Sequence, residues 1–217
     1  MTENELVLID CPMTSFFRLK EHGLLSEKSA ASVFVTHTHA DHIGGIPTLL
    51  QYAYYVLKKK ITVIAPSEEV AGQLEYMINE LEGCDKQSYE LLTAENAHRD
   101  WLKNTVLTEH TPQLSGRCFG CRLCINGKNV VYTGDTAIIE PFLPYLERGT
   151  YLYTDVCTSG SSVHISFEEL KSKLHGYDIN IFLMHLDDEE AIKKLIHGTN
   201  MRLAPMLEDD VTHFTIN

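Results

Sequence analysis

The sequence predicts an α/β fold in which a pair of β-sheets is covered by helices, in a single domain spanning residues 1–217. Three observations lead there. Short apolar runs alternate with helix-like segments in the first half, and the second half opens on a run of strands before alternation resumes. No Pro/Gly-rich linker, low-complexity segment or repeat divides the chain. A length of 217 residues suits one large domain or, at most, two small ones.

Taken in order, Glu5 to Ile9 (ELVLI), Ser32 to Val35 (SVFV) and Ile61 to Ala65 (ITVIA) read as buried strands, being apolar runs too short for helices. A helix is predicted from about Ile46 to Lys58 and another from Ser67 to Leu81. Ser67 is the N-cap of the latter, with Glu68 and Glu69 favourably placed at the positive end of the helix dipole. Strands follow at Thr105 to Thr108, Arg117 to Ile125 and Asn129 to Thr133, with Asn126-Gly127-Lys128 turning between the last two. Tyr151 to Thr154 and Ile179 to Met184 are the next strands, and helices are predicted at Phe167 to Leu174 and Asp188 to Ile196. Ser166 with Glu169 forms a capping box for the first of these helices. Val211 to Ile216 reads as a closing strand.

Hydrophobic content of 44% with 22% charged residues is that of a soluble globular chain. No apolar run approaches the ~20 residues that span a bilayer, so no membrane partner is expected. The start, MTENELVLID, is acidic and lacks the basic region of a signal peptide. Six cysteines without an export signal read as reduced thiols, which places the protein in the cytoplasm. A net charge of -12 argues against a protein that lives on nucleic-acid backbones, which needs Lys and Arg to displace counterions. A phosphate substrate remains compatible, because metal ions can supply the positive charge locally.

The chemistry concentrates in Val35-Thr36-His37-Thr38-His39-Ala40-Asp41-His42-Ile43-Gly44-Gly45, with four ligand-type residues in six positions. The stretch follows a strand and precedes a helix, so its side chains are free of strand alternation. His37 and His39 can share one ion, while Asp41 and His42 can face a neighbouring one. Imidazole with carboxylate suits zinc, manganese or iron, and no nearby cysteine points to a structural zinc site.

These residues carry the HxHxDH motif, and the chain resembles the metallo-β-lactamase superfamily of hydrolases. The resemblance covers nearly the whole chain and implies an αββα sandwich of two mixed sheets flanked by helices. It also implies two divalent metal ions, zinc above all. His37, His39 and His110 (in EHTPQLSG) would bind the first; Asp41, His42 and His185 (in FLMHLDDEE) the second; Asp135 (in YTGDT) would bridge them. Such ions generate hydroxide at neutral pH as the nucleophile. Asp41 and His164 are the expected catalytic residues. Asp10, in LVLIDCP, would orient the ligand loop through a hydrogen bond or else only form a turn before Cys11-Pro12.

Fold alone does not name a reaction. His39 stands where the diiron flavoproteins of the superfamily carry a glutamate, which sets that branch aside. Val163-His164-Ile165-Ser166-Phe167-Glu168-Glu169-Leu170 is similar to the segment of ribonuclease Z and related phosphodiesterases that places a histidine near the scissile phosphate. His164 there would protonate the leaving oxygen. LSGRCFGCRL is likewise similar to a strand of the ribonuclease Z group. No long basic arm for transfer RNA is present in the sequence, so a cyclic nucleotide or a short nucleic acid is the expected substrate. The alternative is a thioester or lactone hydrolase of the glyoxalase II type, which Thr108-Glu109-His110-Thr111-Pro112 partly resembles. A third reading is a non-catalytic, ligand-binding member, against which the intact ligand set argues.

Two further features need a reading. Only five residues precede Leu6, where the superfamily normally has an additional strand. Either the sandwich is minimal, or its first edge is completed by another subunit or by an omitted segment; an open edge strand invites pairing, so a homodimer is expected. Cys118, Cys121 and Cys124 have a spacing like that of a thiolate site. On a strand, however, Cys118 and Cys124 share one face and Cys121 takes the other, so they are read as small core residues. Asp155 ends a strand at the same predicted edge as the ligands. His22, His98, His175, His197 and His213 have no partner pattern and are read as surface residues.

Overall fold

A computed structural model describes residues 4–206, so the expected closing strand at 211–216 lies outside the described residues. The chain divides into two compact units, Met1–His98 and Arg99–Asn217.

In the first unit, β1 (Glu5–Ile9) leads into α1 (Met13–Glu21) and the short α2 (Leu24–Glu27). Next come β2 (Ala30–Phe34), the single turn α3 (Ala40–Ile43) and α4 (Ile46–Tyr55). β3 (Ile61–Ala65), α5 (Glu68–Glu75), β4 (Tyr89–Thr93) and α6 (Ala94–Ala97) complete it. The four strands form one sheet in the order β1-β2-β3-β4. Every pairing in it is parallel, whereas the sequence led us to expect mixed sheets. Parallel neighbours require crossovers, and α1, α4 and α5 lie on those crossovers. Strands covered in this way become continuous apolar runs. Val33, Phe34, Val63 and Ile64 are fully buried, as are Leu49, Leu50 and Leu74 from α4 and α5. Ser67 caps α5 as expected, its hydroxyl accepting the Val70 N–H at 3.4 Å. After Glu75 the helix loosens into a π-helical turn over Tyr76–Leu81.

The second unit holds β5 (Leu102–Thr108), β6 (Cys118–Ile125), β7 (Lys128–Tyr132) and β8 (Tyr151–Val156). These are followed by α7 (Phe167–Lys173), β9 (Asn180–Leu186), α8 (Glu189–Leu195) and β10 (Met201–Leu203). Its six-stranded sheet runs β10-β9-β8-β7-β6-β5 and is mixed. β5, β6 and β7 pair antiparallel, while β7 to β10 pair parallel. The β6–β7 connection is a tight hairpin in which Asn126 and Gly127 both take left-handed φ, +50° and +76°, as a type I′ turn requires. Ser166 accepts the Glu169 N–H at 3.3 Å and caps α7, and Asp188 does the same for α8 through the Ala191 N–H at 3.0 Å. Phe142, Leu152, Phe167, Leu170 and Ile181 form the heart of the core beneath this sheet. Cys118 and Cys121 are buried within β6 and Cys124 is half-buried, so the run CFGCRLC packs as strand rather than gathering three thiolates. No helix among the described residues is long and apolar enough to cross a membrane.

Candidate metal centre

Each unit carries its own half of the expected ligand set. In the first, the chain leaves β2 at Phe34 and runs irregularly through His37 and His39, then winds into α3, which carries Asp41 and His42. The helical turn is tied back by hydrogen bonds from the His42 and Ile43 N–H groups to the His39 carbonyl, at 2.9 and 3.0 Å. The whole stretch had read as a loop, because a four-residue helix lies below what periodicity can reveal. His37 Nε2 and His39 Nδ1 lie 3.0 Å apart. His37 Nδ1 is 3.0 Å from the Thr36 hydroxyl. His42 Nε2 lies 3.9 Å from Asp41 Oδ2, on a carboxylate that is 64% exposed.

Asp10 decides the orientation of this half. It sits directly after β1 with φ +60°, a left-handed conformation that L-residues adopt at a cost of about 1–3 kcal/mol. From there its buried carboxylate collects three donors: Thr36 N–H at 2.7 Å, the Thr36 hydroxyl at 2.7 Å and His42 Nδ1 at 2.7 Å. Of the two roles the sequence left open for Asp10, the orienting one is what the structure shows. Donating Nδ1–H to Asp10 leaves His42 Nε2 with its lone pair, the tautomer a metal ligand needs. Asp10→Asn should therefore leave the fold intact and weaken metal affinity by about 10–100-fold, as measured by competition with a chelating dye.

Close packing supports the same loop from beneath. A Cβ on Gly45 would lie 2.5 Å from the Pro12 carbonyl oxygen and 2.8 Å from that of Cys11. The Gly45 N–H binds that Cys11 oxygen at 2.9 Å, and the Cys11 N–H binds the His42 carbonyl at 2.7 Å. Backbone cannot yield as a flexible side chain would. Gly45→Ala should destabilise the protein by at least about 3 kcal/mol in urea unfolding, the upper end for overpacking. The thiol of Cys11 in this knot is inert, burial and the neighbouring Asp10 charge pushing its pKa up to about 12.

The second unit supplies His110, Asp135, His164 and His185, and it brings all four together. His110 follows β5 and donates Nδ1–H to the Val163 carbonyl at 2.7 Å, which leaves its Nε2 lone pair 3.7 Å from Asp135 Oδ2. His185 Nε2 approaches the same oxygen at 3.5 Å. These separations are too long for hydrogen bonds but close to the about 3.3 Å expected between two ligands on one tetrahedral zinc at ~2.05 Å. Two basic atoms aimed at a carboxylate oxygen at such distances suit a cation among them. One atom each from Asp135, His164 and His185 also falls within 4.8 Å of the others. Among the described residues, the metal-capable groups contain only His and Asp, with no cysteine.

His185 owes its aim to a bulge. Asp155 pairs with Met184 and Val156 with Leu186, so His185 is the extra residue, with φ +50°. His164 stands between the other two histidines, its ring centroid 4.9 Å from that of His110 and 5.3 Å from that of His185. Its Nδ1 binds Asp155 Oδ2 at 2.7 Å, and the Thr136 N–H reaches the same oxygen at 3.2 Å. Asp155 is fully buried. Burial, opposed by the His164 hydrogen bond, raises its pKa to about 6. That hydrogen bond in turn raises His164, against the pull of desolvation. The two directions agree on a proton held between them. The carrying loop is pinned at its base by hydrogen bonds of the Cys157 N–H to the Ile165 carbonyl and the Ile165 N–H to the Thr136 carbonyl, at 3.0 and 2.8 Å.

Against known proteins, a family model described as anti-Pycsar protein Apyc1 matches residues 1–205. The chain belongs to the Apyc1 family. Apyc1 proteins of Bacillus phages vB_BveM-Goe7 and vB_BsuM-Goe3 are each 30% identical to it, over 89% and 87% of this chain and 83% and 81% of theirs. One from Paenibacillus xerothermodurans is 26% identical over 84% of this chain and 77% of its own. Two solved structures share the fold, each at 16% identity. A diphosphatase of the PhnP family matches with TM-score 0.69 over 94% of this chain and 79% of its own. The metallo-β-lactamase fold protein YhfI of Bacillus subtilis matches with TM-score 0.70 over 91% and 84%. The metallo-β-lactamase fold expected from HxHxDH is thus the fold of this Apyc1-family chain.

Proposed function

We propose that this protein hydrolyses a cyclic nucleotide at a dinuclear centre, with both units belonging to one domain. The ligand assignment follows the sequence motif: His37, His39 and His110 on one ion, Asp41, His42 and His185 on the other, Asp135 between. Zinc fits this nitrogen-rich donor set, with manganese and iron as the competitors. One family match running through both units, 1–205, supports the single domain. Membership of a family described as anti-Pycsar protein Apyc1 supports a small cyclic phosphodiester as the substrate.

The observation that carries the reading is the anchored His164. With Nδ1 tied to Asp155, its Nε2 is the atom that can present a proton, beside two histidines that the motif assigns to metal. That is the place for a general acid acting on a phosphodiester leaving oxygen, a group that no water would protonate as quickly. Asp135 and the imidazoles would hold the ions, Asp10 and the Val163 carbonyl fix the His42 and His110 tautomers, and Asp155 holds His164. When bound, the ions would supply hydroxide at neutral pH and neutralise charge on the phosphate.

The deciding experiment compares zinc-reconstituted protein on cyclic nucleotides, on a chromogenic phosphodiester and on a glutathione thioester. Turnover of the phosphodiesters alone is expected. Turnover of the thioester alone would favour the glyoxalase II-type reading raised by EHTP. Reduced cysteines support a cytoplasmic setting. β1 is an edge strand among the described residues, which supports a homodimer paired through it. A strictly monomeric sedimentation profile at micromolar concentration would remove that part.

A further inference from the structure

We propose that a cavity beside His110 receives the nucleobase, and that Glu109 at its wall selects bases bearing an exocyclic amino group. This rests on the phosphodiesterase reading above and specifies the substrate. The cavity, about 480 Å³ and contained in the second unit, adjoins the proposed metal ligand His110. Its volume falls within the usual range for small-molecule sites, roughly 300–1,000 Å³.

Leu107, Pro112, Ile138 and Pro141 give it apolar walls that suit the flat face of a base. Glu109 is the charged group of the lining, and among the described residues no lysine or arginine lines it. A second phosphate would meet a carboxylate there and nothing to neutralise it, so an oligonucleotide or a diphosphate is the wrong occupant. An uncharged ring system next to the scissile phosphate is the right one.

The backbone that carries Glu109 is held in place. The Glu109 carbonyl accepts the Ala137 N–H at 2.7 Å and the Thr136 hydroxyl at 3.4 Å, fixing the backbone from which the side chain departs. An ionised carboxylate only accepts hydrogen bonds. It takes one from the N4 amino group of cytosine or the N6 amino group of adenine, and it repels the carbonyl oxygen that replaces that group in uracil or hypoxanthine.

The test is kcat/KM on matched pairs, cyclic CMP against cyclic UMP and cyclic AMP against cyclic IMP, in the zinc-loaded wild type and Glu109→Gln. The amide keeps the size of the side chain at an exposed position and adds a donor. In the wild type the amino-bearing member of each pair should be preferred about tenfold, the scale of one solvent-exposed charged hydrogen bond. The variant should bring each ratio near one, through KM rather than kcat. Equal ratios in both proteins would overturn the assignment of Glu109. Wild-type turnover of the chromogenic phosphodiester with none of any cyclic nucleotide would instead bring down the substrate reading itself, and the base pocket with it.

Discussion

Asp135→Ala is expected to abolish phosphodiester hydrolysis and to lower bound metal from two ions per chain to less than one, measured by elemental analysis after gel filtration. The side chain is 3% exposed, with one oxygen 3.7 Å from His110 Nε2 and 3.5 Å from His185 Nε2. Removing it deletes the negative charge that the two basic nitrogens face and that the proposed ions would share. Metal that binds only the native state adds stability of about 2.7 kcal/mol at one hundred times its dissociation constant. A chelator should therefore lower the melting temperature of the wild type and leave that of the variant almost unchanged. Full metal content in the variant would mean that Asp135 serves as a buried partner of the histidines and not as a bridge.

The candidate ligands could be named from the sequence because their chemistry is local. Four residues of the HxHxDH motif lie in one stretch, and Asp135 and His185 each follow a strand predicted from its apolar run. What local pattern could not reveal was how they are aimed. The φ of +60° at Asp10 and +50° at His185 is set by tertiary contacts that outweigh intrinsic preference, and neither residue type announces it. The bulge at His185 is visible only against its partner strand. Asp155 read as a strand-end carboxylate of minor interest, since the histidine it holds lies nine residues on, across a loop.

The fold followed the same division. Helices with an N-cap signal, such as those beginning after Ser67, Ser166 and Asp188, were anticipated to within a few residues. α1 was not, because it starts after Pro12 with no side-chain cap. β4 escaped because an edge strand with an exposed Glu90 lacks the uninterrupted apolar run of β3. The parallel character of the first sheet depends on crossovers, which single segments do not encode.

His164→Ala should separate acid catalysis from metal binding. Metal content is expected to match the wild type, while kcat on a cyclic nucleotide, whose leaving group is a poorly stabilised ribose alkoxide, falls by about 10²–10⁴. A nitrophenyl phosphodiester leaves as a stable anion and needs little protonation, so its hydrolysis should fall far less. The contrast between the two substrates, rather than either loss, identifies a proton donor. His164 could instead serve as a ligand, since it lies within metal-sharing distance of Asp135 and His185; its variant would then lose metal and slow both substrates alike. Asp155→Asn provides the internal check. It keeps the shape of the carboxylate but cannot accept the Nδ1 proton in the same way, so it should reproduce part of the loss on the poor leaving group and shift the pH profile. A merely structural Asp155 would lower stability without moving that profile.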